Sequence, residues 1–152
     1  MYFVNEMVID PDYLNEYYFK TMHHEFAHIL NQTKPYSTDF NAISGPDYVT
    51  DTWSDAWDSD ADAQKNGFIS QYASSEANED FVELLSIYVT NTPEYWNNII
   101  ANAGAGADKI NAKFEIVYNY MLTSWNIDLN ELRDNIQARQ AQIGTLDLET
   151  LN

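Results

Sequence analysis

Apolar residues recur at helical spacing in the first part of this chain. Between residues 13 and 30 they return every three or four positions, which is typical of a helix with one buried face. With the angular position of His24 around the helix axis set at zero, one group of apolar side chains falls between about 120° and 240°, opposite His24 and His28. This group consists of Tyr18, Phe19, Met22, Phe26, Ile29 and Leu30. The pattern therefore predicts that this arc is buried and that the histidines lie on the functional face.

The rest of the chain also favours helices. A second amphipathic helix is predicted from Ser74, with Ser74 and Ser75 as caps, and its buried stripe consists of Phe81, Leu84, Leu85 and Tyr88. Helices are then predicted from Thr92, over 107–123 and over 129–141. The segment between residues 33 and 72 has the composition of a loop, in which Trp53 and Trp57 either cover the core or line substrate pockets.

The first helix carries the sequence His24-Glu25-Phe26-Ala27-His28, an H-E-x-x-H motif. Side chains four residues apart project from one face of a helix, so His24 and His28 can bind one metal ion. Glu25 lies beside them, where a carboxylate that is not a ligand can take a proton from a water molecule polarised by the metal. The motif therefore predicts a zinc site with Glu25 as general base.

A third ligand is expected, because catalytic zinc usually has three protein ligands. Glu79 and Glu83 lie one turn apart on the polar face of the second helix. In such a pair one carboxylate can bind the metal, while the other accepts the N–H of a ligand histidine and fixes its orientation. The residues alone leave open which of the two is the ligand.

Composition limits the other possibilities. The chain of 152 residues contains no cysteine, which excludes disulfides and thiolate ligands for zinc. It has 24 acidic and 7 basic residues and a formal charge of −17, which disfavours nucleic acid and anionic membranes as partners. No apolar run approaches the roughly 18 residues that a membrane span needs.

Two helices with these motifs carry a family resemblance. They are similar to those of the gluzincin zinc peptidases, and Glu79 to Glu83 resembles the ligand helix of the anthrax lethal factor peptidase. More of the chain resembles the putative zinc-binding metallopeptidases that occur as lipoproteins in gut Bacteroidetes. The matching segments are His23 to Gln32, Tyr36, Asp39-Phe40, Tyr72 to Ser75, Asn78 to Glu83 and Ser124 to Asp128.

This resemblance implies one zinc ion, with Glu79 as its third ligand and Glu83 as the partner of a ligand histidine. It also implies a catalytic tyrosine, because Tyr72 lies seven residues before Glu79, the same offset as in the lethal factor family. A tyrosine O–H placed there could stabilise the oxyanion of peptide hydrolysis. The implied substrate is a peptide or protein, and the implied location is extracytoplasmic.

The expected fold is an α+β, mostly α, zincin-like catalytic domain over residues 1–143, followed by a frayed tail over residues 144–152. Zincins place several strands before the active-site helix, whereas residues 2–9 offer at most one strand here. We therefore expect part of the upstream sheet to be missing, as in the C-terminal part of a longer protein. The alternative to a zinc metallopeptidase is a non-catalytic extracellular binding module that retains a structural zinc.

Overall fold

A computed structural model describes residues 14–142, and every regular element in this range is helical. A π-helical segment, Leu14–Phe19, leads directly into the first α-helix. The α-helices are α1 (Lys20–Thr33), α2 (Asp39–Ser44), α3 (Trp53–Ala56), α4 (Asp60–Lys65), α5 (Ala77–Thr90), α6 (Pro93–Ala103), α7 (Ala107–Trp125) and α8 (Leu129–Gln140). Short 3₁₀ turns lie between them at Gly45–Asp47, Thr50–Thr52, Tyr72–Ser74 and Gly104–Gly106.

The predicted α+β class is wrong, because the range 14–142 contains no strand. The expectation of a sheet came from the family resemblance, whereas the apolar residues of this range recur at helical spacing. The strand predicted at residues 2–9 lies outside the described residues. The segment predicted as loop between residues 33 and 72 is also more regular than expected, since it contains α2, α3 and α4.

Helix α5 lies at the centre of the protein. All residues from Asp80 to Thr90 are buried, and α5 packs against α1, α2, α7 and α8. The predicted apolar stripe of this helix is therefore confirmed. The opposite side of α5, which carries Glu83, is buried as well and faces α1.

Helix α1 is buried on a different side from the one predicted. His24 is only 7% exposed, whereas Met22 and Phe26 are 61% and 54% exposed. Tyr18 and Ile29 are also exposed, and of the predicted arc only Leu30 is buried. The physical reason is that α1 turns its histidine side toward α5, where His24 hydrogen-bonds to Glu83.

Local signals set several helix ends. The side chain of Thr92 accepts a hydrogen bond from the backbone N–H of Tyr95 and caps α6, and Asp128 caps α8 in the same way. Ser74 and Ser75 do not cap α5, because that helix begins after Glu76 and both serines are buried before it. Between residues 14 and 142 no helix combines the length and apolar character needed to cross a membrane.

Candidate metal centre

Three side chains with metal-binding atoms meet where α1 packs against α5. His24 and His28 come from α1, and Glu79 comes from the first turn of α5. Nε2 of His24 lies 3.0 Å from Oε2 of Glu79, and Nε2 of His28 lies 3.4 Å from Oε1 of the same carboxylate. One ligand atom from each residue lies within 4.8 Å of the others. The fold thus brings Glu79 to two histidines that precede it by 51 positions or more (79 − 28 = 51).

The second nitrogen of His24 is held by Glu83. Nδ1 of His24 lies 3.0 Å from Oε1 of Glu83, and both side chains are buried. Burial by itself lowers the pKa of His24, but the hydrogen bond and the charge of Glu83, together with Glu79 and Glu25, raise it above its ordinary value. Burial raises the pKa of Glu83, yet His24 and Lys20 lower it overall. Glu83 is therefore an ionised acceptor, and Nδ1 of His24 is the donor.

Two residues that the sequence analysis did not identify complete the surroundings of Glu83. Ser70 donates a hydrogen bond of 2.6 Å to Oε2 of Glu83, and Nζ of Lys20 lies 3.0 Å from the same oxygen. Lys20 is four residues before His24, so helical spacing already indicated that it lies on the histidine side of α1. No sequence signal singled out Ser70, which lies outside both helices.

The geometry at Glu79 tests whether a metal ion fits. When the His24 ring is neutral and donates from Nδ1 to Glu83, its Nε2 directs a lone pair toward Oε2 of Glu79. That oxygen is buried and has no hydrogen-bond partner. Two facing acceptors 3.0 Å apart require a cation or a proton between them. Two imidazole nitrogens and one carboxylate form a donor set of the kind that zinc takes, so the residues fit the ion.

Tyr72 lies at the edge of this group. Its ring stacks on His24, with the ring centroids 5.9 Å apart and the planes inclined by 29°. The side chain is 37% exposed, so it faces both the histidine and solvent. Burial and the neighbouring Glu79 carboxylate raise the pKa of Tyr72 to about 12. The phenol therefore keeps its proton near neutral pH and can donate a hydrogen bond.

Glu25 is exposed and follows His24 directly in α1. Its negative charge makes a small contribution to the raised pKa values of both His24 and Tyr72. His23 lies elsewhere, because its Nδ1 is 2.7 Å from the carbonyl oxygen of Phe19. Tyr72 thus contacts a candidate ligand directly, whereas Glu25 lines a surface pocket of α1 together with Met22 and Phe26.

The two tryptophans that the sequence left unassigned have different surroundings. Nε1 of Trp57 donates a hydrogen bond of 2.8 Å to Ser74, and its ring packs toward the buried Phe68. Trp53 instead makes an edge-to-face contact with Tyr72, with the ring centroids 5.0 Å apart. Trp57 therefore covers the core, and Trp53 supports the wall of the candidate site.

Comparisons with known proteins show which proteins this chain is similar to. The crystal structure of a putative zinc-binding metallo-peptidase from Bacteroides caccae is similar to this chain, with 39% sequence identity and a TM-score of 0.87. The match covers 94% of this chain and 54% of that protein, so the chain spans about half the length of this relative. No curated protein sequence matches significantly. The model of the family described as "Putative zinc-binding metallo-peptidase" matches residues 1–130, and the chain therefore belongs to this family.

Proposed function

We propose that this protein hydrolyses peptide bonds as a gluzincin-type peptidase, with one zinc ion held by His24, His28 and Glu79. The observation that supports the proposal is the cluster of His24, His28 and Glu79, whose ligand atoms lie within 4.8 Å of one another. Tyr72 stacks on the His24 ring, and Glu25 follows His24 directly in the sequence. When bound, the zinc ion supplies Lewis-acid polarisation of water and of the substrate carbonyl. Membership of the metallo-peptidase family supports the same reaction.

Glu25 is proposed to move the protons of the reaction. Its carboxylate is exposed and lies next to His24 in the helix, so both a water molecule and a peptide can reach it. Acting as general base, Glu25 takes a proton from the attacking water, and it can then pass that proton to the departing amine. Glu83 acts indirectly, because its hydrogen bond to Nδ1 keeps the Nε2 lone pair of His24 directed toward Glu79.

Tyr72 is proposed to stabilise the oxyanion that develops on the substrate carbonyl. A donor that is already in place lowers the energy of this charge without reorganising at the moment of reaction. Contacts with His24 and Trp53 restrict the tyrosine ring, and its raised pKa keeps the O–H proton in place. A binding module that kept zinc only for stability would need neither Glu25 nor Tyr72 at this position.

Substitution of Glu25 by glutamine tests the proposal. Zinc content, measured by elemental analysis, should stay at one ion per chain, while turnover of an unfolded, fluorescently labelled protein should fall by about 10²–10⁴-fold. Glu115→Gln is the matched control, because Glu115 is also an exposed glutamate within a helix. Full zinc occupancy of the unaltered protein without any turnover would contradict the proposal and favour the binding module.

A further inference from the structure

A pocket of about 290 Å³ adjoins the candidate metal centre on the His28 side. His28 forms part of its wall, so a ligand in the pocket would lie next to a proposed zinc ligand. The last turn of α1 contributes Asn31 and Gln32, and Asn78 contributes from the start of α5. A third side is formed by the segment leading into α2 and by Asn41.

The lining of this pocket is uncharged although the protein as a whole is strongly acidic. Four of its side chains are carboxamides, and Tyr36 and Thr38 add hydroxyl groups. Each carboxamide offers both hydrogen-bond donors and an acceptor oxygen. A charged side chain entering the pocket would lose hydration without gaining a charged partner among the lining side chains, which is unfavourable. The lining therefore suits an uncharged group that both donates and accepts hydrogen bonds.

The carboxamide groups differ in whether other protein groups hydrogen-bond to them. Tyr36 donates a hydrogen bond of 2.7 Å to Oδ1 of Asn78, and the Tyr36 ring is fixed by stacking on Phe81 at 4.2 Å. In contrast, Nδ2 and Oδ1 of Asn31 are both buried and have no hydrogen-bond partner. Unsatisfied buried amides are uncommon in proteins. Because this amide makes no hydrogen bond, turning it toward a ligand breaks none.

The volume limits the size of the ligand. Sites for complete small-molecule ligands typically measure about 300–1,000 Å³, so this pocket lies just below that range. It can hold a single amino-acid residue of an extended peptide. Its position beside His28 places that residue close to the bond that would be cleaved.

We propose that this pocket binds one uncharged, hydrogen-bonding side chain of the substrate, that of glutamine or asparagine, next to the scissile bond. The inference rests on the peptidase function proposed above and adds a substrate preference to it. Carboxamide side chains match the mixed donors and acceptors of the lining. A site built to hydrogen-bond its ligand also discriminates against analogues that lack those groups.

Cleavage of a degenerate octapeptide library with blocked termini tests the preference. After incubation with the zinc-loaded protein, products sequenced by mass spectrometry should show glutamine and asparagine at one position beside the cleaved bond, enriched about 10-fold over leucine, glutamate and lysine. In Asn41→Leu and Asn31→Leu this enrichment should largely disappear while zinc content is unchanged. Asn98→Leu is the matched control, because Asn98 is an exposed amide on α6, away from the pocket lining.

A second measurement separates the pocket from the reaction. N-acetylglutamine amide, added to the zinc-loaded Glu25→Gln variant, should shift the side-chain amide resonances of Asn31, Asn41 and Asn78 in NMR spectra, and N-acetylglutamate amide should not. Cleavage without the glutamine preference, or a preference that both pocket variants retain, would overturn the subsite and leave the peptidase proposal intact. Amide shifts without any cleavage of the library would support the subsite and contradict the peptidase proposal. If N-acetylglutamine amide shifts none of these resonances, the subsite proposal is overturned.

Discussion

At the residue scale, His24 is the side chain on which the candidate site depends most. Its ring lies between two carboxylates, with Nδ1 facing Glu83 and Nε2 facing Glu79. These carboxylates differ in their own partners, because Glu83 also accepts from Ser70 and Lys20, whereas Oε2 of Glu79 has no hydrogen-bond partner. That difference makes Glu79 the candidate ligand and Glu83 the group that orients the ring.

Removing the Glu79 carboxylate should abolish zinc binding. In Glu79→Ala the cation would lose the only carboxylate of the three-residue group, and we expect less than one tenth of the normal zinc content by elemental analysis. Glu76→Ala is a suitable control, because Glu76 is an exposed glutamate three residues earlier. Equal zinc content in the two variants would remove Glu79 from the ligand set.

A milder effect is expected at Glu83. Glu83→Gln keeps the volume of this buried side chain but removes the charge that polarises His24, so zinc affinity should fall by about 10–100-fold. Competition with a fluorescent zinc chelator measures this change. Ser70→Ala, which removes one donor to Glu83 and leaves its charge, should weaken binding less. Unchanged affinity in Glu83→Gln would show that the ring needs no charged partner.

At the scale of elements, a buried ion pair joins α5 to α7. Nζ of Lys113 lies 2.5 Å from Oδ2 of Asp80, and both side chains are fully buried. Tyr48 donates a hydrogen bond of 2.9 Å to the same oxygen. Burial raises the pKa of Asp80 to about 6, although Lys113 and Tyr48 act in the opposite direction. Because Asp80 follows Glu79 directly, this pair fixes the end of α5 that carries the candidate ligand.

Breaking this ion pair should destabilise the whole fold. Lys113→Met leaves a buried carboxylate without its cation, and we expect the free energy of unfolding to fall by about 3–5 kcal/mol in urea titrations. The double variant Asp80→Asn with Lys113→Met removes both charges and keeps an acceptor for Tyr48. Its decrease in the free energy of unfolding should be smaller than the sum of the decreases in the single variants Asp80→Asn and Lys113→Met. Simple additivity would mean that the two charges do not interact.

At the scale of the whole molecule, the candidate zinc site connects two parts of the fold. Its ligands lie on α1 and α5, so the ion would act as a cross-link between the first helix and the central one. Such a site does not exist in the unfolded chain, and zinc binding then adds directly to the stability of the native state. The single-domain organisation and the extracytoplasmic location stay predictions.

Zinc should therefore raise the melting temperature. At a free zinc concentration about 1,000 times Kd the native state gains about 4 kcal/mol, which corresponds to roughly 8–16 °C for a chain of this size. Differential scanning fluorimetry with zinc and with EDTA measures the difference. Glu79→Ala should lose this response and Glu76→Ala should keep it. An equal response in both variants would place the stabilising ion elsewhere.

The sequence by itself determined the local features of this protein. Four-residue spacing placed His24 and His28 together on one helix, and Thr92 marked the start of α6. These features depend on backbone geometry and on residues only a few positions apart. The pairing of the histidine helix with a downstream helix that bears Glu79 and Glu83 was also predicted.

Only the tertiary structure decided which side of α1 is buried. Periodicity favoured burial of Met22 and Phe26. The polar side of α1 packs against α5 instead, because His24 hydrogen-bonds to Glu83 there. Ser70 and the different positions of Trp53 and Trp57 depend in the same way on contacts between segments far apart in sequence. Apolar spacing shows that a helix has two different faces. Which face is buried depends on the partner that the rest of the chain brings to it.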